Sequence, residues 1–256
     1  MSLEVEIKDR VCTLRLNRPE QRNSLDRALI RALKEALASA ERDPRVRAVV
    51  LCGQGPSFCE GLDVQELAET QPEELDHQLL TIGHVVELYL MIRRHKKVVV
   101  AQVAGRALSS GCTLALCADF VFAAEGAEMG YPDVQWGFVP AVSIPVLRQR
   151  LAPAVIRRLL LGAQLYTGAD LLQMGLADAC VPPAELTDHV QHYVQRLMMG
   201  SSPGSVELTK RLLADLADMP EKEAINFAAR IASHSRKTVE YEIGLKAFLA
   251  KKQPDW

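Results

Sequence analysis

Apolar and polar positions alternate from Val5 to Asn17 around a charged turn at Lys8-Asp9-Arg10, the pattern of a β-hairpin. The period then lengthens. Leu25, Leu29, Leu33 and Leu37 recur at helical spacing through NSLDRALIRALKEALASAERD, which predicts a helix capped by Asn23 or Ser24. VRAVVLCGQG, residues 46–55, is a continuous apolar run closed by glycines, as a strand buried on both faces requires. A long helical zone is expected over residues 72–95. KKVVVAQVAG predicts a second buried strand, SSGCTLALCAD the start of a helix, and FVFAAEGAEMG another strand. From Ala141 the pattern is helical: VLRQRL, APAVIRRLLLGAQ, TGADLLQMG, AELTDHVQHYVQRLMM and two long amphipathic stretches to the end. No linker, low-complexity segment or internal period interrupts it. A hairpin, then βα units, then a helical tail predicts an α/β fold with a mostly parallel sheet and a helical C-terminal third.

Composition narrows the class. The chain has 256 residues, 48% hydrophobic and 24% charged, which suits one soluble domain with or without a helical extension. A formal net charge of −2 offers no basic field for nucleic acid. Six cysteines lie scattered, mostly inside apolar runs, with no CxxC pair, and are expected to be reduced core residues of a cytoplasmic protein. MSLEVEIKDR is charged and alternating, a strand opening rather than a signal peptide. No apolar run approaches the roughly 20 residues of a membrane span. His84, His95 and His234 form no pair with metal-ligand spacing, so no metal is expected.

The candidate chemistry sits at two strand-to-helix turns. One is Cys59-Glu60-Gly61-Leu62-Asp63, and the other is Leu108-Ser109-Ser110-Gly111-Cys112. Backbone N–H groups point outward where a helix begins. Two of them, from different turns and aimed at one point, would hold a developing oxyanion such as an enolate oxygen. Ordinary tight turns would show the same residues, so the two readings stand side by side at this stage.

These turns resemble those of the crotonase superfamily, the enoyl-CoA hydratase/isomerase family. FCEGLD is similar to its F-x-x-G-x-D pattern. AGRALSSGCTLALCADFVFAAEGAEMGYPDVQWGFVPA matches its small-residue turn and helix, then A-x-D, A-x-x-G-x-P-[ED] and G-x-x-P. LNRPEQRNSL and TGADLLQMGLADACVP match further family segments, in order and at family spacing over nearly the whole chain. The resemblance implies a spiral of ββα repeats over residues 1–195. It also implies a helical region over 196–256 that builds a homotrimer or a hexamer. The implied substrate is an acyl thioester on coenzyme A or an acyl carrier protein, with no separate cofactor. Its carbonyl would be gripped by the N–H groups of Leu62 and Ser110. Gly61 would allow the close approach, Gly111, Glu60 and Trp136 would contact substrate, and Asp63 would cap the next helix.

Hydratases of the family use two glutamates. Thr113 stands at the first position and cannot do that work. Asp133 stands at the second, and is expected to be a largely desolvated acid/base beside Trp136, Phe138 and Val139. Glu60 either replaces the missing acid or is a solvated loop carboxylate. Cys59 and Cys112 are expected to be packing residues. PAVSIPVLRQRL, residues 140–151, replaces a glycine-rich family stretch and, with FC-x-G-x-D-x-QE and a terminal QPDW, resembles the dehydratases of polyketide β-branching cassettes. That likeness implies removal of water from a 3-hydroxy-3-methylglutaryl thioester. One acid/base also suits a Δ3,Δ2-enoyl-CoA isomerase, or an enoyl-CoA hydratase with a relocated acid. A degenerate scaffold subunit is the non-enzyme alternative.

Overall fold

One sheet is centred on long buried strands, another is built of three-residue strands, and the chain alternates between them. The structure is a computed structural model that describes residues 1–69 and 75–256. β1 (Leu3–Lys8) and β2 (Val11–Leu16) form the expected antiparallel hairpin. Asp9 and Arg10 both take positive φ in its turn, the geometry that suits a two-residue loop to strand twist.

α1 (Arg27–Arg42) follows. Its cap is Asp26, whose carboxylate accepts from the Leu29 N–H at 2.7 Å, and not Asn23 or Ser24. Asn23 is fully buried and donates to the carbonyls of Gln54 and Ser57 instead. Leu29, Leu33 and Leu37 line the buried face of the helix. Leu25 lies before it and bridges to Leu62.

The chain then repeats a unit. β3 (Ala48–Gly53), β4 (Ser57–Cys59), α2 (Val64–Glu69) and α3 (Leu75–Arg93) are followed by β5 (Val98–Val103), β6 (Arg106–Leu108) and α4 (Ser110–Leu116). β7 (Phe120–Ala124) and β8 (Glu128–Gly130) open a third unit, so FVFAAEGAEMG is two strands. Next come α5 (Ser143–Arg148), α6 (Pro153–Gly162), β9 (Leu165–Thr167), α7 (Gly168–Met174) and β10 (Ala179–Val181). The six-stranded sheet runs β1-β2-β3-β5-β7-β10 and is parallel from β2 onward. The four-stranded sheet runs β4-β6-β8-β9. In each unit the first strand enters the large sheet and the second enters the small one, so the strand-to-helix turns stack at one end.

The tail is α8 (Leu186–Gly200), α9 (Pro203–Asp215), α10 (Glu221–Ser235) and α11 (Val239–Leu249). The two amphipathic stretches expected at the end are therefore three helices. A division at residue 195 falls inside α8, which packs on β5 and β7 and so belongs with the core. Lys210 is the buried residue of α9, and its ammonium pairs with Asp119 at 2.7 Å. Part of the helical zone expected over 72–95 lies outside the described residues. Among the described residues no helix is long and apolar enough to cross a membrane.

Candidate active site

Gly61 breaks the chain between β4 and α2 with a φ of +106°. The next residue pairs with Leu25 as a parallel bridge, in which Leu25 N–H donates to Gly61 O at 2.8 Å and Asp63 N–H donates to Leu25 O at 3.0 Å. Leu62 N–H takes part in neither bond, so it faces away from the bridge. Asp63 caps the helix as expected: its Oδ1 accepts from the N–H groups of Gln65 and Glu66. Partial burial pushes its carboxyl pKa up. The Arg18 guanidinium at 3.0 Å and the two N–H groups outweigh that and hold it below the usual range.

Ser109 makes the second turn, with φ 51° and ψ −123°. Its N–H donates to Gly130 O at 2.9 Å. Ser110 is the first residue of α4, where an N–H has no acceptor within its own helix. The two turns abut: a Cβ built on Gly61 would lie 3.4 Å from Ser109 Cβ and 3.8 Å from Ser110 N. Gly111 has another part. A Cβ there would lie 2.0 Å from Cys59 O, so its missing side chain lets α4 seat against β4, and it does not line the cleft. The expectation that Gly111 contacts substrate is corrected accordingly.

A cleft of about 1170 Å³ opens over these turns, closed on its other sides by residues 132–143 and by Ile82 and Val85 of α3. Glu60, Gly61, Leu62, Ser110, Asp133 and Trp136 all line it. Asp133 begins the short 3-10 turn Asp133–Trp136, and its Oδ2 accepts a hydrogen bond from Ser109 Oγ at 2.8 Å. The desolvation expected around it is missing in the single chain. Asp133 is half-buried, and Trp136 and Val139 are 74% and 78% exposed.

Glu60 is not a solvated carboxylate. Its side chain is only 9% exposed, Ser57 Oγ donates to it at 2.7 Å, and Arg22 and Arg106 approach its other oxygen at 3.4 and 3.5 Å. Two guanidinium groups and a hydroxyl anchor it as part of the turn.

Thr113 sits fully buried beneath the second turn. Its hydroxyl donates to Ser143 Oγ at 2.7 Å and meets the Tyr131 hydroxyl at 2.9 Å. Tyr89 donates its hydroxyl proton to Ser110 O at 2.8 Å. Complete burial pushes both tyrosine pKa values well above the ordinary range, so these groups stay neutral donors. Where the resemblance implies a carboxylate, this chain has a packed cluster of hydroxyls. Ser109, Ser143, Tyr89 and Tyr131 were not singled out from the sequence. Only Ser109 carried a signal, as a serine in a turn of small residues.

Cys59 and Cys112 are wholly buried, with thiols pushed up to about 12 by burial, and act as packing residues. His84 is exposed on α3 and lies outside the cleft lining. No cluster of His, Cys, Asp and Glu among the described residues has the makings of a metal site.

Stacked turns over a mixed core, facing a cleft with a carboxylate on its wall, define a crotonase fold. Residues 6–256 match the model of the enoyl-CoA hydratase/isomerase family, and the chain belongs to that family of lyases and isomerases. Among its relatives is the crotonyl-CoA hydratase of Syntrophomonas wolfei, 28% identical over 257 residues, covering 98% of this chain and 96% of that protein. The carnitinyl-CoA dehydratase of Salmonella arizonae is 27% identical over 264 residues, covering 100% of this chain and 98% of its own. The crystal structure of the enoyl-CoA hydratase of Mycobacterium smegmatis matches with a TM-score of 0.94 at 26% identity, over 100% of this chain and 99% of that one.

Proposed function

We propose that this protein removes water from a 3-hydroxyacyl thioester by a single-carboxylate route. The best substrate is 3-hydroxy-3-methylglutaryl on an acyl carrier protein, and the product is the 3-methylglutaconyl thioester. One observation carries the reading. Leu62 and Ser110, on two abutting turns, line the same cleft as Asp133, while the buried Thr113 stands where the family resemblance implies a second acid.

The thioester carbonyl oxygen sits between the two N–H groups. The Asp133 carboxylate takes the α-proton, and the C–H electron pair moves into the carbonyl as an enolate that the N–H groups hold. The enolate then collapses, the bond from the β-carbon to its hydroxyl oxygen breaks, and the hydroxyl leaves as water with the proton from Asp133. Removal of one oxyanion donor typically costs on the order of 3 kcal/mol of transition-state stabilisation. Burial of the acyl group would exclude water from Asp133, which the single chain leaves half-exposed. No separate cofactor is invoked. A relative named for hydration and another named for dehydration of CoA thioesters support the chemistry. The two turns and Asp133 line one open cleft, which speaks against a degenerate scaffold.

The carrier protein and the acyl group rest on the PAVSIPVLRQRL stretch and the QPDW tail. The six free cysteines support a cytoplasmic setting. We also propose a homotrimer, alone or paired into a hexamer, and the unburied helices α10 and α11 support a protein partner without fixing the number of copies.

The test is the intact mass of an acyl carrier protein loaded with hydroxymethylglutaryl, before and after incubation with the protein. Loss of one water is expected, and Asp133→Asn should abolish it. An unchanged mass removes this substrate. A second reading, Δ3,Δ2-enoyl-CoA isomerisation, rests on the same lone carboxylate. It is checked by the rise in absorbance as a 3-enoyl-CoA becomes conjugated.

A further inference from the structure

Ser109 departs twice from what its position asks. Its φ of 51° and ψ of −123° belong to the first central residue of a type II′ turn, which glycine adopts freely and a side chain only with strain. It is also the N-cap of α4. A capping serine normally accepts a hydrogen bond from the helix it starts, and Ser109 makes no such bond. Its hydroxyl instead donates to Asp133 Oδ2 at 2.8 Å. The hydroxyl therefore serves neither the turn nor the helix, and its partner is the carboxylate across the cleft.

We propose that Ser109 is a positioning residue for Asp133, resting on the proton-transfer role given to Asp133 above. By holding Oδ2, it turns the carboxylate so that Oδ1 is the oxygen presented to substrate. Ser109 precedes Ser110, whose N–H belongs to the oxyanion pair. The same turn therefore sets the base and the oxyanion donor at a fixed separation. Its backbone is itself pinned by the bond from Ser109 N–H to Gly130 O. This registers the α-carbon of the thioester against the base, which is a matter of turnover rather than of substrate binding.

The test is Ser109→Gly, which relaxes the backbone and removes only the hydroxyl, with Ser109→Ala as its strained counterpart. Ser109→Gly should keep or raise the melting temperature, leave KM within about twofold, and lower kcat by tenfold or more, on the order expected for a misplaced base. Ser109→Ala should show the same kcat loss at a lower melting temperature. An unchanged kcat in Ser109→Gly, or a kcat loss that merely follows a lowered melting temperature, overturns the proposal. If the native protein shows neither dehydration nor isomerisation, the functional reading falls and crystal structures of native and Ser109→Gly protein decide the rest. A rotated Asp133 carboxylate in the variant upholds the positioning role, and an unchanged rotamer overturns it.

Discussion

Thr113 anchors a buried hydroxyl cluster beneath the second turn, at the position where the resemblance implies a carboxylate. Its hydroxyl is shared by Tyr131 and Ser143, both buried. Thr113→Val keeps the shape and leaves those partners short of a hydrogen bond inside the protein. The expected loss of unfolding free energy is about 1–3 kcal/mol, read by urea denaturation. Equal stability of the two proteins would show that Tyr131 and Ser143 find other partners. At this scale the sequence was informative where a motif carried the residue. Leu62, Ser110 and Asp133 followed from turn spacing and family pattern, and all line one cleft. Ser109 and Ser143 act through contacts made 24 and 30 positions along the chain, which no local pattern displays. The ion pairs that hold Glu60 to Arg22 and Arg106 are equally non-local.

Elements were legible in proportion to their length. β3, β5 and α1 each run long enough for burial to leave a mark, a continuous apolar run in the strands and a helical period in α1, and each was expected. β4, β6 and β8 have three residues apiece, too short to show any period, although they form the sheet on which the turns stand. The junction of α1 with β5 carries a pH prediction. His95 is buried there, its Nε2 3.2 Å from Leu37 O and its Nδ1 accepting from the Lys97 N–H at 3.1 Å. One donor and one acceptor make the neutral ring. Burial lowers its pKa below 6.5, and Lys210 adds to this by repulsion, while the Lys97 and Leu37 carbonyls, which would accept from a protonated ring, and the charge of Glu41 pull the other way. The unfolded chain therefore binds a proton near pH 6.5 that the folded chain refuses. Stability is full above that pH and declines as the pH falls through the folded value, by up to about 1.4 kcal/mol per pH unit from this group. Urea unfolding from pH about 7.5 to about 5.5 should show the decline, and His95→Gln should flatten it. Equal slopes in the two proteins would assign the acid sensitivity elsewhere.

The whole molecule adds an apolar surface that the chain alone does not cover. Helical periodicity made the tail legible as helix, but not its division into three, because the breaks at residues 216–220 and 236–238 are short. α10 and α11 bury no side chain, while Ile225, Phe248 and Leu249 are 61%, 78% and 73% exposed. Helices of 15 and 11 residues that fully bury none of their own side chains have little reason to stay folded in water. An apolar face of this extent calls for a protein partner. In the homotrimer proposed above, the partner is another copy of the chain, and the face becomes interior. Phe248→Glu would then place a carboxylate in an apolar interface, and light scattering should report a monomer where the native protein gives a trimer. The core should survive the change, because α9 remains tied to it through Lys210 and Asp119. A native monomer, or a Phe248→Glu protein that stays trimeric, would mean that this face is covered in some other way.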